Sequence, residues 1–396
     1  MEDTFLSLWW IALAGVAAPL VAHLVPRRLV PEVVILLGLG TLLGPHVLDL
    51  AETDNAVQLL HELGLAMLFL LAGFEIELGE LTGRAGRRAL GTWVTSLLFA
   101  LGVVVLLDVS DVVDYEVAVA IAVTSTALGT LLPVLKDNRL LATRVGASVM
   151  RHGAYGELGP IVAMAVLLGA RGPGLSLAIL AAFALVAVVV ALPSLRIRQG
   201  TWSLLQLVRA GAETTGQTPV RLTMLLLITL VTVAEVFHLD IVLGAFAAGF
   251  ILRAALPEGD ARLETRLEGI AFGLLVPLFF VTSGMTIDPA AIAAKPRAFV
   301  AAVLLILVAR GAVVFLGQRT DRRDPMAGRP SASVGLFAAT GLPIIVAVTS
   351  VSVAAGQMST ENASILVAAG AMTVLLCPPS AILVLGRHDA PADAQA

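Results

Sequence analysis

The chain has 396 residues, 58% of them hydrophobic and 14% charged, with a formal net charge of −4 and a mean hydropathy of +0.95. Soluble domains carry about 25% charged residues, so this composition excludes a water-soluble fold, and no basic patch suited to nucleic acid is evident. The sole cysteine, Cys377, lies in the last apolar segment, so no intrachain disulfide can form.

A membrane-spanning helix needs roughly 20 mostly apolar residues. Thirteen segments meet that need, starting near Phe5, Pro31, Leu59, Arg88, Val113, Leu141, Pro173, Val220, Asp240, Glu268, Arg297, Ser331 and Asn362. Loops are short, and the stretch from Ser194 to Arg221 is the longest polar break. The reading is one all-α polytopic membrane domain. Its first repeat covers residues 1–169, a spacer helix 173–193, a second repeat 219–387, and a short tail 388–396. The start, Met1-Glu2-Asp3, is acidic, whereas a cleaved secretory signal begins with positive charge. The first segment is therefore expected to be retained.

In the second segment, Gly38-Leu39-Gly40 reads as helix packing, because a phosphate loop needs a strand-to-helix context. His61-Glu62 in the third lacks a second ligand cluster, so no zinc-type metal site is expected. Glu75 and Glu77 end that segment and read as interfacial, as does Glu235 in the eighth.

The fifth segment is interrupted by Thr124-Ser125-Thr126-Ala127, followed by Pro133. Hydroxyl side chains offer the backbone alternative partners, and proline weakens a helix interior. The sixth carries Glu157 within Gly153-Ala154-Tyr155-Gly156-Glu157-Leu158-Gly159-Pro160. A carboxylate at bilayer depth costs roughly 2.5–3.5 kcal/mol on insertion scales and is by default a functional group. Arg151 and His152 precede it by six and five positions, so they do not share its helical face. They are candidates for a pH response, against the plainer reading of a charged helix end. Arg310 sits mid-segment in the eleventh, where a buried cation needs a partner, and is the candidate for charge balance.

The twelfth segment is interrupted in its turn by Thr340-Gly341-Leu342-Pro343. With the seventh as a spacer, each interruption lies in the fifth segment of a six-span half. Broken helices at corresponding positions of two halves are the best pointer from sequence to a transporter's midplane site. Thr124, Ser125, Thr126, Thr340 and Gly341 therefore join Glu157 as candidate ion-binding and proton-binding residues.

Loop charge sets the orientation. Alternate loops collect twenty Lys and Arg on one side, among them Arg84, Arg87, Arg88, Lys136, Arg139 and Arg144, and three on the other, Arg171, Lys295 and Arg297. By the positive-inside rule the rich side is cytoplasmic. An odd number of spans then puts the N-terminus outside and the C-terminus inside a cell membrane.

The chain resembles the membrane domain of monovalent cation:proton antiporters of the second superfamily, which includes bacterial potassium-efflux systems and sodium/proton exchangers. The resemblance rests on Leu68 to Glu77, Thr124-Ser125-Thr126-Ala127, Gly153 to Pro160, Leu243 to Gly249, and Pro277 to Met285, in that order along the chain. It implies a sodium/proton antiporter fold of two inverted repeats with crossed broken helices, a panel-like dimerisation region and a homodimer. It also implies exchange of Na⁺ or K⁺ for H⁺, with no cofactor and no enzymatic reaction. Many relatives place a polar residue and an Asp at the sixth-helix site, where this chain has Gly156-Glu157. Potassium-efflux members often add a nucleotide-binding regulatory domain, which nothing here is expected to form. Two further readings stand beside exchange: sodium-coupled uptake of an organic anion, and a non-transporting membrane sensor or assembly subunit.

Overall fold

The computed structural model describes residues 2–24, 30–76, 78–108, 115–168, 173–197, 217–256, 260–321 and 325–386. Glu77, the 198–216 stretch and the loop charges Arg27, Arg28, Arg171, Arg198, Arg209, Arg322, Arg323 and Arg387 lie outside the described residues.

The described residues form helices and no strand. In chain order the longer ones are α1 (Glu2–Leu24), α2 (Glu32–Leu43), α3 (Asn55–Glu75), α4 (Gly83–Asp108), α5 (Glu116–Val123), α6 (Leu128–Asp137), α7 (Arg144–Leu167) and α8 (Pro173–Ile197). Then come α9 (Thr218–Val236), α10 (Ile241–Ala255), α11 (Ala261–Met285), α12 (Pro296–Arg319), α13 (Gly328–Ala338), α14 (Leu342–Ala354) and α15 (Thr360–Leu385). Each of the thirteen apolar segments finds its helix, and the two interrupted segments become the pairs α5/α6 and α13/α14. Eight of the spans are long and apolar enough to cross a bilayer by length and composition. The spacer helix α8 runs to Ile197, past the Ser194 at which its apolar pattern ends.

Short loops leave little chain to satisfy helix ends, and acids at the loop exits take that role. Asp54 Oδ1 accepts from the backbone N–H groups of Ala56 and Val57 at 3.0 and 2.9 Å, and Asp240 accepts from Val242 at 2.8 Å. Such caps contribute about 1 kcal/mol each.

The chain divides into two compact units. One comprises Thr53–Leu78 and Ala165–Phe279. Within it α3 and α10 approach through reciprocal glycines: a methyl on Gly73 would strike the Phe246 carbonyl, and one on Gly249 the Leu70 carbonyl. Small residues are what allow membrane helices to pack backbone to backbone where no hydrophobic force separates protein from lipid. The other unit comprises Met1–Glu52, Gly79–Met164 and Phe280–Ala396, and holds both broken helices. Leu131, Leu135, Val149, Val314, Val334 and Phe337 form its apolar core, packing α6 and α13 against α7 and α12. In the same unit Gly40 lies against Val281 and Gly284, so in Gly38-Leu39-Gly40 the packing position is Gly40, while Gly38 faces open space.

Candidate ion site at the crossed breaks

The two breaks touch. After Val123 the backbone leaves helical geometry for four residues and resumes at Leu128; after Ala338 it leaves for three and resumes at Leu342. The Ala127 N–H donates to the Thr340 carbonyl at 2.7 Å, and Ser125 Oγ donates to the Gly341 carbonyl at 3.1 Å. A side chain at Gly341 would collide with Ser125, so glycine is what permits this approach. Thr124, Ser125, Thr126 and Thr340 are all buried.

Their hydroxyls divide by partner. Thr124 bonds back to the Ala120 and Ile121 carbonyls, at 2.9 and 3.1 Å, and Thr340 to Phe337 at 2.7 Å, so both close their own half-helices. Ser125 does this with Ala122 at 2.6 Å besides reaching Gly341. The Thr126 hydroxyl makes its bonds outward and none to its own half-helix: it donates to the Ala338 carbonyl at 2.5 Å and accepts from Arg310 Nε at 3.0 Å.

Glu157, 2% exposed, enters from α7. Its Oε1 accepts from the Leu128 N–H at 2.5 Å. Leu128 is the first residue of α6, so the carboxylate docks on the positive end of a half-helix, where unpaired N–H groups and the aligned peptide dipoles favour an anion. One residue earlier, the Gly156 carbonyl accepts from the Thr126 N–H at 2.9 Å. The α7 backbone and side chain thus both fasten to the first break.

Arg310 is fully buried. It lies on a π-helical stretch of α12, Leu307–Ala312, where the wider turn departs from regular α-helical phasing. Besides Thr126, it donates through Nη2 to the His152 carbonyl at 2.6 Å. Gly156 makes the space: a Cβ there would lie 2.5 Å from Arg310 Nη2 and 2.5 Å from Thr126 Oγ1. The missing side chain at 156 is therefore occupied by the guanidinium. Three residues on, Gly159 receives the Trp93 indole of α4 in the same manner.

His152 is buried, and it meets the site through its backbone; its ring Nε2 lies 2.6 Å from the Gln318 amide nitrogen of α12. Arg151 is half-buried beside it and lines a pocket of about 360 Å³ with His152 and Gln318. Sequence reasoning brought Glu157, Thr126 and Arg310 to one place. It missed Gln318, which looks like an ordinary polar helix end, and the Leu128 N–H, which no side-chain pattern reveals. Glu235 is exposed on α9. Among the described residues no group of three His, Cys, Asp or Glu side chains is placed to hold a metal ion.

Residues 11–385 match the family model for the transmembrane sodium/hydrogen exchanger. The chain belongs to that family and is a multi-pass membrane protein. The Na(+)/H(+)-K(+) antiporter GerN of Bacillus cereus is 21% identical over 391 residues, covering 96% of each chain. YjbQ of Bacillus subtilis (strain 168) is 24% identical over 297 residues, covering 71% of this chain. The glutathione-regulated potassium-efflux system protein KefC of Klebsiella pneumoniae is 28% identical over 298 residues, covering 73% of this chain. The chain spans about half the length of the last two, with 47% of YjbQ and 46% of KefC covered. In structure it is similar to the sodium proton antiporter MjNhaP1 from Methanocaldococcus jannaschii, with a TM-score of 0.65 at 19% identity over 97% of this chain and 99% of that one. The fold is accordingly two inverted six-helix repeats with crossed broken helices.

Proposed function

We propose that the chain exchanges Na⁺ or K⁺ for H⁺ by alternating access, with Glu157 binding either the proton or the cation. The observation that carries this reading is the buried Glu157 carboxylate docked on the N-terminus of α6 at the crossing of two broken helices. Thr126, Ser125 and the carbonyls of Thr340 and Gly341 surround that crossing; the Thr340 carbonyl accepts from the Ala127 N–H and keeps a second lone pair, while the Gly341 carbonyl is taken up by Ser125 and by the Ile344 and Ile345 N–H groups. Thr124 holds the end of α5 in place for them. Both GerN and KefC are named for potassium as well as for exchange or efflux, which keeps K⁺ beside Na⁺ as substrate.

Exchange is electroneutral in this reading, one cation for one proton. Competition for a single carboxylate gives that ratio directly. Gly156 cannot titrate, and the Arg310 guanidinium holds its proton. It balances charge at the crossing, while His152 and Arg151 set the response to pH from the pocket side. The protein sits in the cell membrane with its N-terminus outside and its arginine-rich side in the cytoplasm, as a homodimer, with residues 1–169 and 219–387 as its repeats.

Proteoliposomes test the proposal. Collapse of an imposed pH gradient on adding Na⁺ or K⁺ supports exchange, and its absence with both ions overturns it. With equal ion concentrations on both sides, a membrane potential of either sign should drive no proton movement. Potential-driven flux that requires both protein and cation would refute electroneutrality, and its loss in His152→Ala would identify a second titrating site.

A further inference from the structure

The pocket beside His152 is lined by Arg84 and Arg88 from α4, Arg151 from α7, Gln318 from α12, and Asp321 just beyond α12. Its volume, about 360 Å³, falls in the range of small-ligand sites. Three guanidiniums face one carboxylate, so the walls carry a net positive charge. A vestibule that feeds cations inward should have the opposite sign, because clefts concentrate counter-ions of the charge that lines them. The neutral lining also suits an anion's oxygens: Ser148 and Gln318 bring a hydroxyl and an amide, while the Thr92 hydroxyl is spent on the Arg88 carbonyl at 2.9 Å.

The one carboxylate is engaged. Asp321 forms a salt bridge with Arg88, whose other terminal nitrogen donates to the Gly317 carbonyl at 3.2 Å. Asp321 therefore presents to Arg88 what an external oxyanion would present. Arginine's planar fork matches phosphate oxygens in pairs, which carboxylate does with half the charge.

We propose that this pocket binds a phosphomonoester dianion, which competes with Asp321 for Arg88 and is held also by Arg84 and Arg151. Inorganic phosphate, a nucleoside monophosphate and the headgroup of phosphatidic acid share this chemistry. The bound anion ties α4, α7 and α12 together beside His152, whose carbonyl Arg310 holds. Binding itself requires nothing of the exchange reaction.

The test uses the whole chain, purified in detergent in chloride buffer. Inorganic phosphate, adenosine monophosphate and a short-chain phosphatidic acid are titrated by calorimetry and by thermal shift, with short-chain phosphatidylcholine as the diester control. Saturable binding of at least one of the three, with none for the control, is the expected result. Binding of the soluble anions assigns a free metabolite, and binding of phosphatidic acid alone assigns a lipid headgroup. Arg84→Gln combined with Arg151→Gln should weaken binding about a hundredfold, since each lost charge-assisted contact is worth about a factor of ten. Asp321→Asn should tighten it by removing the competitor. Glu157→Gln should bind with unchanged Kd, which separates this site from the exchange proposal. No saturable binding of any of the three at millimolar concentration would overturn the inference, as would equal Kd in the arginine double variant. Arg84 is exposed, so Arg84→Gln alone, which leaves the fold intact, should already weaken binding measurably.

Discussion

The two breaks cross at one point yet differ in chemistry. The first, residues 124–127, carries three hydroxyls and is fastened from outside by α7 through Gly156 and Glu157, and by α12 through Arg310. The second, residues 339–341, carries one hydroxyl, and that one caps its own half-helix. Its contribution across the crossing is backbone: the Ala338, Thr340 and Gly341 carbonyls accept from Thr126, Ala127 and Ser125. Equivalent positions in a repeat thus need not carry equivalent roles. One break presents donors and side chains that can change partner, and the other a fixed set of acceptors.

The largest effect is expected where the first break meets its carboxylate. Glu157→Gln keeps an acceptor for the Leu128 N–H and nearly the same volume, so insertion and folding should survive. Cation-dependent proton flux should fall to the level of empty liposomes, because an amide neither titrates nor binds Na⁺ or K⁺ as a carboxylate does. Flux near wild type in the purified variant would move the carrier elsewhere and dissolve the distinction between the two breaks.

Next comes the slot that admits Arg310. Gly156→Ala places a methyl 2.5 Å from both Arg310 Nη2 and Thr126 Oγ1, and both groups are buried and would have to leave hydrogen bonds to make room. Overpacking of this kind costs about 1–3 kcal/mol. The expected readouts are lower thermal stability and a fall of about tenfold in exchange rate, the kinetic equivalent of roughly 1.4 kcal/mol. A variant of normal stability and rate would mean that the guanidinium has room to shift and that α12 does not clamp the first break.

Much of this was legible in the sequence. Hydropathy locates spans because the bilayer rewards length and punishes charge, so each of the thirteen segments became a helix or a broken pair. Thr124 to Ala127 and Thr340 to Leu342 declared themselves through hydroxyls, Gly and Pro, and Glu157 through its depth. The asymmetry between the breaks was not legible. It depends on which hydroxyl turns back to its own helix, a choice made by neighbours distant in sequence: Thr126 and Arg310 are 184 positions apart. His152 shows the same limit. Helical spacing sets it off the Glu157 face, and its ring meets Gln318, yet its carbonyl joins the site regardless. The π-helical turn that carries Arg310 also breaks the 3.6-residue periodicity from which a face would be read.

Thr126→Val tests the outward-facing hydroxyl. Valine keeps the shape and removes both bonds, leaving Arg310 Nε and the Ala338 carbonyl buried without this partner. Each such loss costs about 1–3 kcal/mol. Stability should drop by several kcal/mol at most, and the apparent KM for cation should rise, since the residue stands between the guanidinium and the second break. A stability loss with unchanged KM would assign Thr126 to scaffolding alone.

Thr340→Val should do least, and the contrast with Thr126→Val is the sharpest comparison of the two breaks. Its hydroxyl makes one bond, to the Phe337 carbonyl in its own half-helix. A neutral hydrogen bond of this sort contributes about 0.5–1.5 kcal/mol, and the acceptor is a carbonyl at a helix end, where a single lost donor is most easily replaced. The Thr340 carbonyl, which accepts from Ala127 across the crossing, is untouched by the substitution. The expected outcome is a small decrease in thermal stability with cation KM within about twofold of wild type, a difference of roughly 0.4 kcal/mol or less on the affinity scale. Measuring both quantities in both variants decides the point. If Thr340→Val raises KM as much as Thr126→Val does, the second break supplies side-chain chemistry after all, and the two breaks are functional equals.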